Sequence, residues 1–266
     1  MSQPVGSKLL TAAVVLSTVD YGEADRVVTL FTRDLGKVAA IARGVRKGQR
    51  RFGAGVSAFG VGEATLRERP AAELMILDGF EAGPGWPGLL EDMAKMAHAG
   101  YACELVRELS PMRQPDQRIF TLLVEMLDLL DGAPARTSLL RSFELHLLDA
   151  VGLQPTLDRC VRCASDEAAL LDEDGQRFDW RLGGVVCAHC QSQGRGAGQG
   201  RTLDGPTRRA LLEAQQRQLR DTTEWDLPEQ GACREVLTGF LRHHLPRPLK
   251  SMEFIAKLNH ARVQSR

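Results

Sequence analysis

The sequence predicts an α+β fold: a small five-stranded β-barrel over residues 1–82, then an all-α domain over 83–266. Three observations predict it. Apolar, β-branched runs divided by turn signals fill the first 82 residues; beyond them apolar positions recur at helical spacing; and a Gly/Pro-rich break, Gly83-Pro84-Gly85-Trp86-Pro87-Gly88, separates the two regimes.

The N-terminal runs are Leu9–Val19, Arg26–Thr32, Lys37–Ala42, Gly60–Leu66 and Leu74–Phe80. Asp20-Tyr21-Gly22, Asp34-Leu35-Gly36, the Gly44–Gly55 segment and Arg69-Pro70 supply the turns between them. Five short strands in about 80 residues suit the OB-fold, the commonest barrel of this size that binds oligonucleotides. After the break, Leu89, Met93, Met96, Ala97, Tyr101, Leu105 and Leu109 mark one helical stripe. Ile119, Phe120, Leu123, Leu127 and Leu130 mark a second, opened by Pro115-Asp116; Leu140, Phe143, Leu147 and Val151 mark a third, stopped by Gly152 and Pro155. These stripes read as bundle core. A further helix begins near Pro206, and another carries Val236, Leu237, Phe240 and Leu241 up to Pro246.

The most specific pattern is a pair of cysteine pairs, Cys160-x-x-Cys163 and Cys187-x-x-Cys190, with 23 residues between them. Four thiolates on two tight turns suit tetrahedral Zn²⁺, although the spacing exceeds the usual range of about 15–20 residues. The excess accommodates a β-hairpin, with Ala168–Leu171 leading into the turn Asp172-Glu173-Asp174-Gly175 and Arg177–Trp180 returning. A structural zinc module at 158–193 follows, with four cysteines leaving no open position for catalysis and His189 a bystander. A redox dithiol and disulfides are the rival readings. The first usually comes as a single pair beside a βαβ unit, and the second needs an oxidising compartment. Six acids against two arginines lie between Cys163 and Cys187, so this loop is a scaffold or protein contact and not a reader of phosphates.

Apolar and charged contents of 43% and 26% are those of a soluble globular protein. The uncharged run Leu9–Val19 is too short for a bilayer, which takes about 20 residues, and lacks the flanks of an export signal. Cytoplasmic residence is the expectation, with Cys103 and Cys233 as small core residues. Several enzymatic motifs fail. Gly83-x-Gly85-x-x-Gly88 matches a dinucleotide pattern, but two prolines remove N–H donors; Gly194–Gly200 lacks the lysine of a P-loop and reads as a flexible stretch; there is no His-Glu-x-x-His and no nucleophile elbow. His243-His244 reads as a cationic partner for helix-terminal carbonyls. The chain is expected not to be an enzyme.

The zero net charge conceals an asymmetry. Residues 1–51 hold nine Lys/Arg against four Asp/Glu, and residues 234–266 hold seven against two, net +5 in each case. Basic ends on an acidic body suggest polyanion binding. Lys37, Arg43, Arg46, Lys47, Arg50 and Arg51 fall within fifteen residues with no acid among them, and Phe52 follows as an aromatic able to stack on a base. The bland alternatives are a solvated loop or a dock for an acidic protein.

Here the chain resembles the bacterial recombination mediator family RecO. The resemblance rests on Asp20-Tyr21-Gly22-Glu23-Ala24-Asp25-Arg26, on Leu30–Lys37, on Ala42-Arg43-Gly44-Val45-Arg46, on Phe143–Leu148, on Gly152-Leu153-Gln154-Pro155, on the cysteine quartet and on Pro248-Leu249-Lys250-Ser251. It implies an OB-fold, a helical domain and a zinc module held by some members. It also implies binding of single- and double-stranded DNA, strand annealing, partnership with RecR, contact with the acidic tail of single-stranded DNA-binding protein, and help in loading recombinase during repair. Arg33, Lys37, Arg43 and Arg46 lie inside the shared motifs; Lys47, Arg50 and Arg51 are added from charge alone. For the acidic tail the candidate surface is Leu241–Lys257 with Arg242, Arg247 and Lys250, against the alternative of a core helix with a charged outer face. The rival functions are an RNA-binding zinc protein of translation or transcription and a thiol-disulfide oxidoreductase.

Overall fold

The computed structural model describes residues 8–45, 52, 56–69, 72–166, 176–194 and 198–264. The chain divides into two compact units, residues 1–132 with 249–266, and residues 133–248.

The first unit begins with β1 (Lys8–Tyr21), β2 (Asp25–Thr32), β3 (Gly36–Ala42), β4 (Val61–Arg67) and β5 (Met75–Ala82), closed in the order β1-β2-β3-β5-β4. Only the β3–β5 pairing is parallel. A register shift between Val15 and Ser17 lets β1 pair with β4 through its first half and with β2 through its second. Such a bulge bends a strand strongly enough to close a small barrel. Alternate residues point inward, so Val28, Leu30, Val38, Ala40, Leu66 and Leu77 fill the interior. The five runs expected from the sequence are these five strands.

Behind the barrel lie α1 (Pro87–Leu90), α2 (Met93–Leu109) and α3 (Gln117–Gly132). The Gly83–Gly88 break is a close-packing device. A Cβ on Gly88 would meet the Asp131 carbonyl at 2.7 Å, while Asp131 Oδ1 accepts the Leu89 N–H and Asp128 accepts the Trp86 indole N–H. Asp92 caps α2, which separates Leu89 from the rest of its expected stripe and leaves Met93 exposed. The last helix of the chain, α8 (Lys250–Gln264), also belongs to this unit. Its N-terminus is held by Glu104 of α2, whose carboxylate accepts the backbone N–H groups of Lys250 (3.2 Å) and Ser251 (2.9 Å) and the Ser251 hydroxyl (2.6 Å). The Pro-Leu-Lys-Ser motif thus opens a helix capped from another helix. Glu104→Ala is expected to cost about 1–2 kcal/mol and to remove hydrogen-exchange protection first from the opening turn of α8.

The second unit is built around α4 (Thr137–Ala150), which is buried on nearly all sides. Several of its buried polar groups are paired: Arg141 meets Glu144 at 2.9 Å, and Ser138 and Ser142 donate to the carbonyls of Thr222 and Ala214, while Nε and Nη1 of Arg141 are buried without a hydrogen bond. Packed around it are α6 (Gly205–Gln216), a 3₁₀ turn (Leu219–Thr222) and α7 (Gln230–His244). A three-stranded sheet joins them, made of β6 (Gln176–Asp179), β7 (Gly184–Val186) and β8 (Gly200–Leu203) in the order β7-β6-β8; a short helix, α5 (Ala188–Ser192), follows β7. The helical domain expected here is borne out, and its cysteine segment adds a small sheet. Of the expected hairpin, Ala168–Leu171 into Asp172–Gly175 and back through Arg177–Trp180, only the returning strand is described. Arg177–Asp179 is a strand, but it pairs with β7 and β8, and residues 167–175 lie outside the described set. Gly200, expected in a flexible stretch, is a sheet residue without room for a side chain: a Cβ would lie 2.1 Å from the Phe178 carbonyl.

Phe178 of β6 meets Phe240 of α7 edge-on at 5.4 Å, and the Trp180 ring rests on Gly239, where a Cβ would approach it to 2.3 Å. Gly239→Ala adds about 1 kcal/mol of helix propensity but overpacks this contact. The variant is expected to be less stable by roughly 1–3 kcal/mol in urea denaturation. His244 does not serve as the expected cation. Its ring packs against Phe240 at 4.6 Å, and burial followed by repulsion from His243 lowers its pKa.

Candidate nucleic-acid interface and metal centre

The four cysteines converge. Their Sγ atoms all lie within 4.8 Å of one another, with Cys160, Cys187 and Cys190 buried and Cys163 exposed. Two elements deliver them. The Thr156–Val161 segment is tied to the β7 hairpin by three backbone hydrogen bonds, Thr156 to Gly183, Val185 to Thr156 and Val161 to Val185. The chain then turns through Cys160–Cys163 and Ala164, whose φ of +59° lets its N–H reach back to the Cys160 carbonyl. The second pair lies across the start of α5, with Cys187 as N-cap accepting the Cys190 N–H.

Backbone N–H groups point at sulfur throughout: Arg162 and Cys187 donate to Cys160, and Cys190 donates to Cys187, each at 3.4 Å. Such donors stabilise thiolates. Burial pushes the Cys190 thiol up to about 12 and also raises Cys187, whereas hydrogen bonding from Ser165 holds Cys163 down to about 6. Cys187 and Cys190, buried sulfurs that resist ionising on their own, converge with the other two on one point with N–H donors behind them, which suits a bound cation that supplies the missing charge. The Cys163–Cys187 separation of 3.7 Å matches the edge of a tetrahedral thiolate centre, about 3.8 Å, and not a disulfide bond of about 2 Å. Four cysteines this close can hold a metal ion. Ser165, 3.0 Å from Cys163, was not singled out from the sequence, although its place two residues after the first pair is a usable signal. His189 stands apart, with its Nε2 on Gln193.

Among the described residues, the basic ones predicted to bind nucleic acid are Arg33, Lys37 and Arg43, and these are not brought together. Arg33 is exposed in the β2–β3 turn, 3.6 Å from the Asp34 carboxylate. Lys37 is partly buried and its ammonium donates to the Arg107 carbonyl at the end of α2, while its own carbonyl accepts the Arg113 N–H. That end of the barrel packs on the α2–α3 connection, where a Cβ on Gly36 would strike Gln114. Arg43 is exposed at the other end of β3, about 20 Å away at 3.3 Å per residue. Arg46, Lys47, Arg50 and Arg51 lie outside the described residues. Phe52 is not an aromatic platform: it is 2% exposed and, with Val56, fills the barrel interior. It therefore anchors the far end of the basic segment, while Asp25 accepts the Gly44 N–H at 2.8 Å and anchors the near end.

Leu241–Lys257 is not one helix. Arg242 closes α7 in the second unit, and Lys250 opens α8 in the first; Arg247 lies between them, and all three are exposed. Glu104, which sets the start of α8, had no signal in the sequence because its partner is 146 residues away. No helix among the described residues is long and apolar enough to cross a membrane.

Comparison with known proteins agrees with this architecture. The family model described as recombination protein O N terminal matches residues 7–82, and recombination protein O C terminal matches residues 90–253. The DNA repair protein RecO of Anaeromyxobacter sp. (strain K) is 43% identical over 247 residues, 92% of this chain and 94% of the relative. That of Myxococcus xanthus (strain DK1622) is 37% identical over 248 residues, 92% and 96%. That of Geobacter sulfurreducens is 36% identical over 252 residues, again 92% and 96%. Matched along nearly its whole length, with the barrel and the helical region each covered by its own model, the chain belongs to the RecO family of DNA repair proteins.

Proposed function

We propose that this protein is a cytoplasmic, non-enzymatic mediator of recombinational repair. It binds single- and double-stranded DNA, anneals complementary strands and helps load recombinase. The observation that carries this reading is a closed OB-type barrel whose β3 runs directly, through the exposed Arg43, into a segment with four further cations and no acid. Guanidinium and ammonium groups along such a segment neutralise phosphates and release counterions. The cysteine centre takes Zn²⁺, whose d¹⁰ shell accepts tetrahedral sulfur, and serves to hold the second unit together. RecR and the acidic tail of single-stranded DNA-binding protein are its protein partners in this reading, as the family resemblance implies.

Annealing needs no bond chemistry. Two strands repel through their phosphates, and a protein with basic segments near both ends of its sequence lowers that repulsion and raises local strand concentration. Annealing of a fluorophore-quencher strand pair is expected to accelerate without nucleotide, to be unchanged by ATP and to fade with added salt in parallel with binding. Strict ATP dependence, or tighter binding to single-stranded RNA than to DNA of the same sequence, would count against the mediator reading.

A further inference from the structure

The outer face of the barrel carries an apolar row that runs from the buried Ile41, 7% exposed, to an open end on β1. Strand register sets Val19 opposite Val27, Val27 opposite Ile41, and Ile41 opposite Ile76, one row across β1, β2, β3 and β5. Val28 and Leu30 point into the barrel, so Val27 and its row point out. One step along lies a floor of short side chains, Ser17 opposite Thr29 and Thr29 opposite Ala39. At the β1 end of the row, Val19 is 64% exposed, and two residues further Tyr21 is 61% exposed. Tyr21 faces Asp25, whose carboxylate holds the Gly44 N–H, so Tyr21 and Arg43 stand two strands apart, about 10 Å. The neighbouring acids are engaged, Asp20 with Arg26 at 2.8 Å and Asp25 with Gly44, which leaves Glu23 at the hairpin tip.

We infer that Tyr21 is the base-stacking residue of this protein, with Val19 beside it, and that this contact sets its preference for unpaired over paired strands. The inference rests on the DNA-binding reading proposed above and names the residue that reads the strand. An exposed ring at the open end of an apolar row, with the exposed Arg43 two strands away, offers a flat π-face to a base while the phosphates reach Arg43. Every base has a π-face, so the contact is tolerant of sequence. In a duplex those faces are stacked on their neighbours, so a paired strand gains nothing from Tyr21 and binds through phosphates alone. The other tyrosine of the chain, Tyr101, is 1% exposed and takes no part.

The test compares full-length wild type, Tyr21→Ala and Tyr21→Phe by fluorescence anisotropy, on a labelled oligo-dT, the same strand carrying abasic sites, and a duplex, over a salt series. Tyr21→Ala is expected to bind oligo-dT roughly tenfold more weakly, the loss of one stacked base. Its salt slope, its duplex affinity and its melting temperature should match wild type, since an exposed ring adds no phosphate contact and no core. Tyr21→Phe should restore binding, and on the abasic strand the difference between wild type and Tyr21→Ala should vanish. A Tyr21→Ala protein that binds oligo-dT as wild type does, or that loses single-strand and duplex affinity equally, overturns the inference and leaves DNA binding standing. A wild type that binds none of the three probes overturns the DNA reading itself, and this inference with it.

Discussion

Cys160→Ser and Cys187→Ser proteins are expected to purify without stoichiometric metal and to melt well below the wild type. Both sulfurs are buried, and both accept backbone N–H groups that hold the two turns in register. Metal binding in small thiolate modules appears as folding energy of about 10–16 kcal/mol. Here the second unit has an independent core around α4, and the sheet that carries the cysteines packs on α7 through Phe178 and Phe240. The cost should therefore be a fraction of that figure, about 4 kcal/mol, and at roughly 2–4 °C per kcal/mol the melting temperature should fall by about 8–16 °C. Cys233→Ala is the control, a buried cysteine outside the cluster, and should keep its metal. The exposed Cys163 should be the mildest of the four, because water can occupy the vacated position. Metal content by atomic absorption and melting by calorimetry decide the matter. A metal-free Cys160→Ser protein that melts with the wild type would end the structural role.

What the sequence made legible follows from the range of the interactions involved. Strand positions in the barrel are local, encoded in alternation and turn residues, and the five runs match the five strands to within a few residues. The cysteine quartet is legible because metal-ligand spacing is chemically narrow. The small sheet was only half visible: β7 is three residues long, and β8 begins at Gly200, whose role is close approach and not flexibility. Contacts between distant segments were not visible at all. Glu104 capping α8, and Lys37 donating to the end of α2 instead of waiting for phosphate, depend on pairings 146 and 70 residues apart that no local pattern carries. Phe52 misled for a related reason. An aromatic after a basic run reads as a stacking group, yet only the fold reveals that this position turns into the barrel.

Reversal of Arg43, Arg46, Lys47 and Arg50 to Glu is expected to abolish most DNA binding while leaving the barrel folded. Arg43 is exposed, and the segment's structural anchors are other groups, the Gly44 N–H on Asp25 and the Phe52 side chain in the core. The size of the effect follows from counterion release. Of the six cations in Lys37–Arg51, Lys37 is committed to the Arg107 carbonyl, which leaves five for phosphate. If each neutralises one phosphate of a single strand, log K should fall against log[salt] with a slope of about −3.5, at roughly 0.7 per contact. The reversed protein should lose most of that slope along with its affinity, and Lys37→Gln should change stability more than it changes the slope. Salt-titrated anisotropy on oligo-dT, with the melting temperature as the folding check, measures both quantities. A reversed protein that keeps the wild-type slope would place the phosphate contacts on the basic C-terminal residues 234–266 instead, and Tyr21 would then have no cations beside it to hold the strand whose bases it stacks.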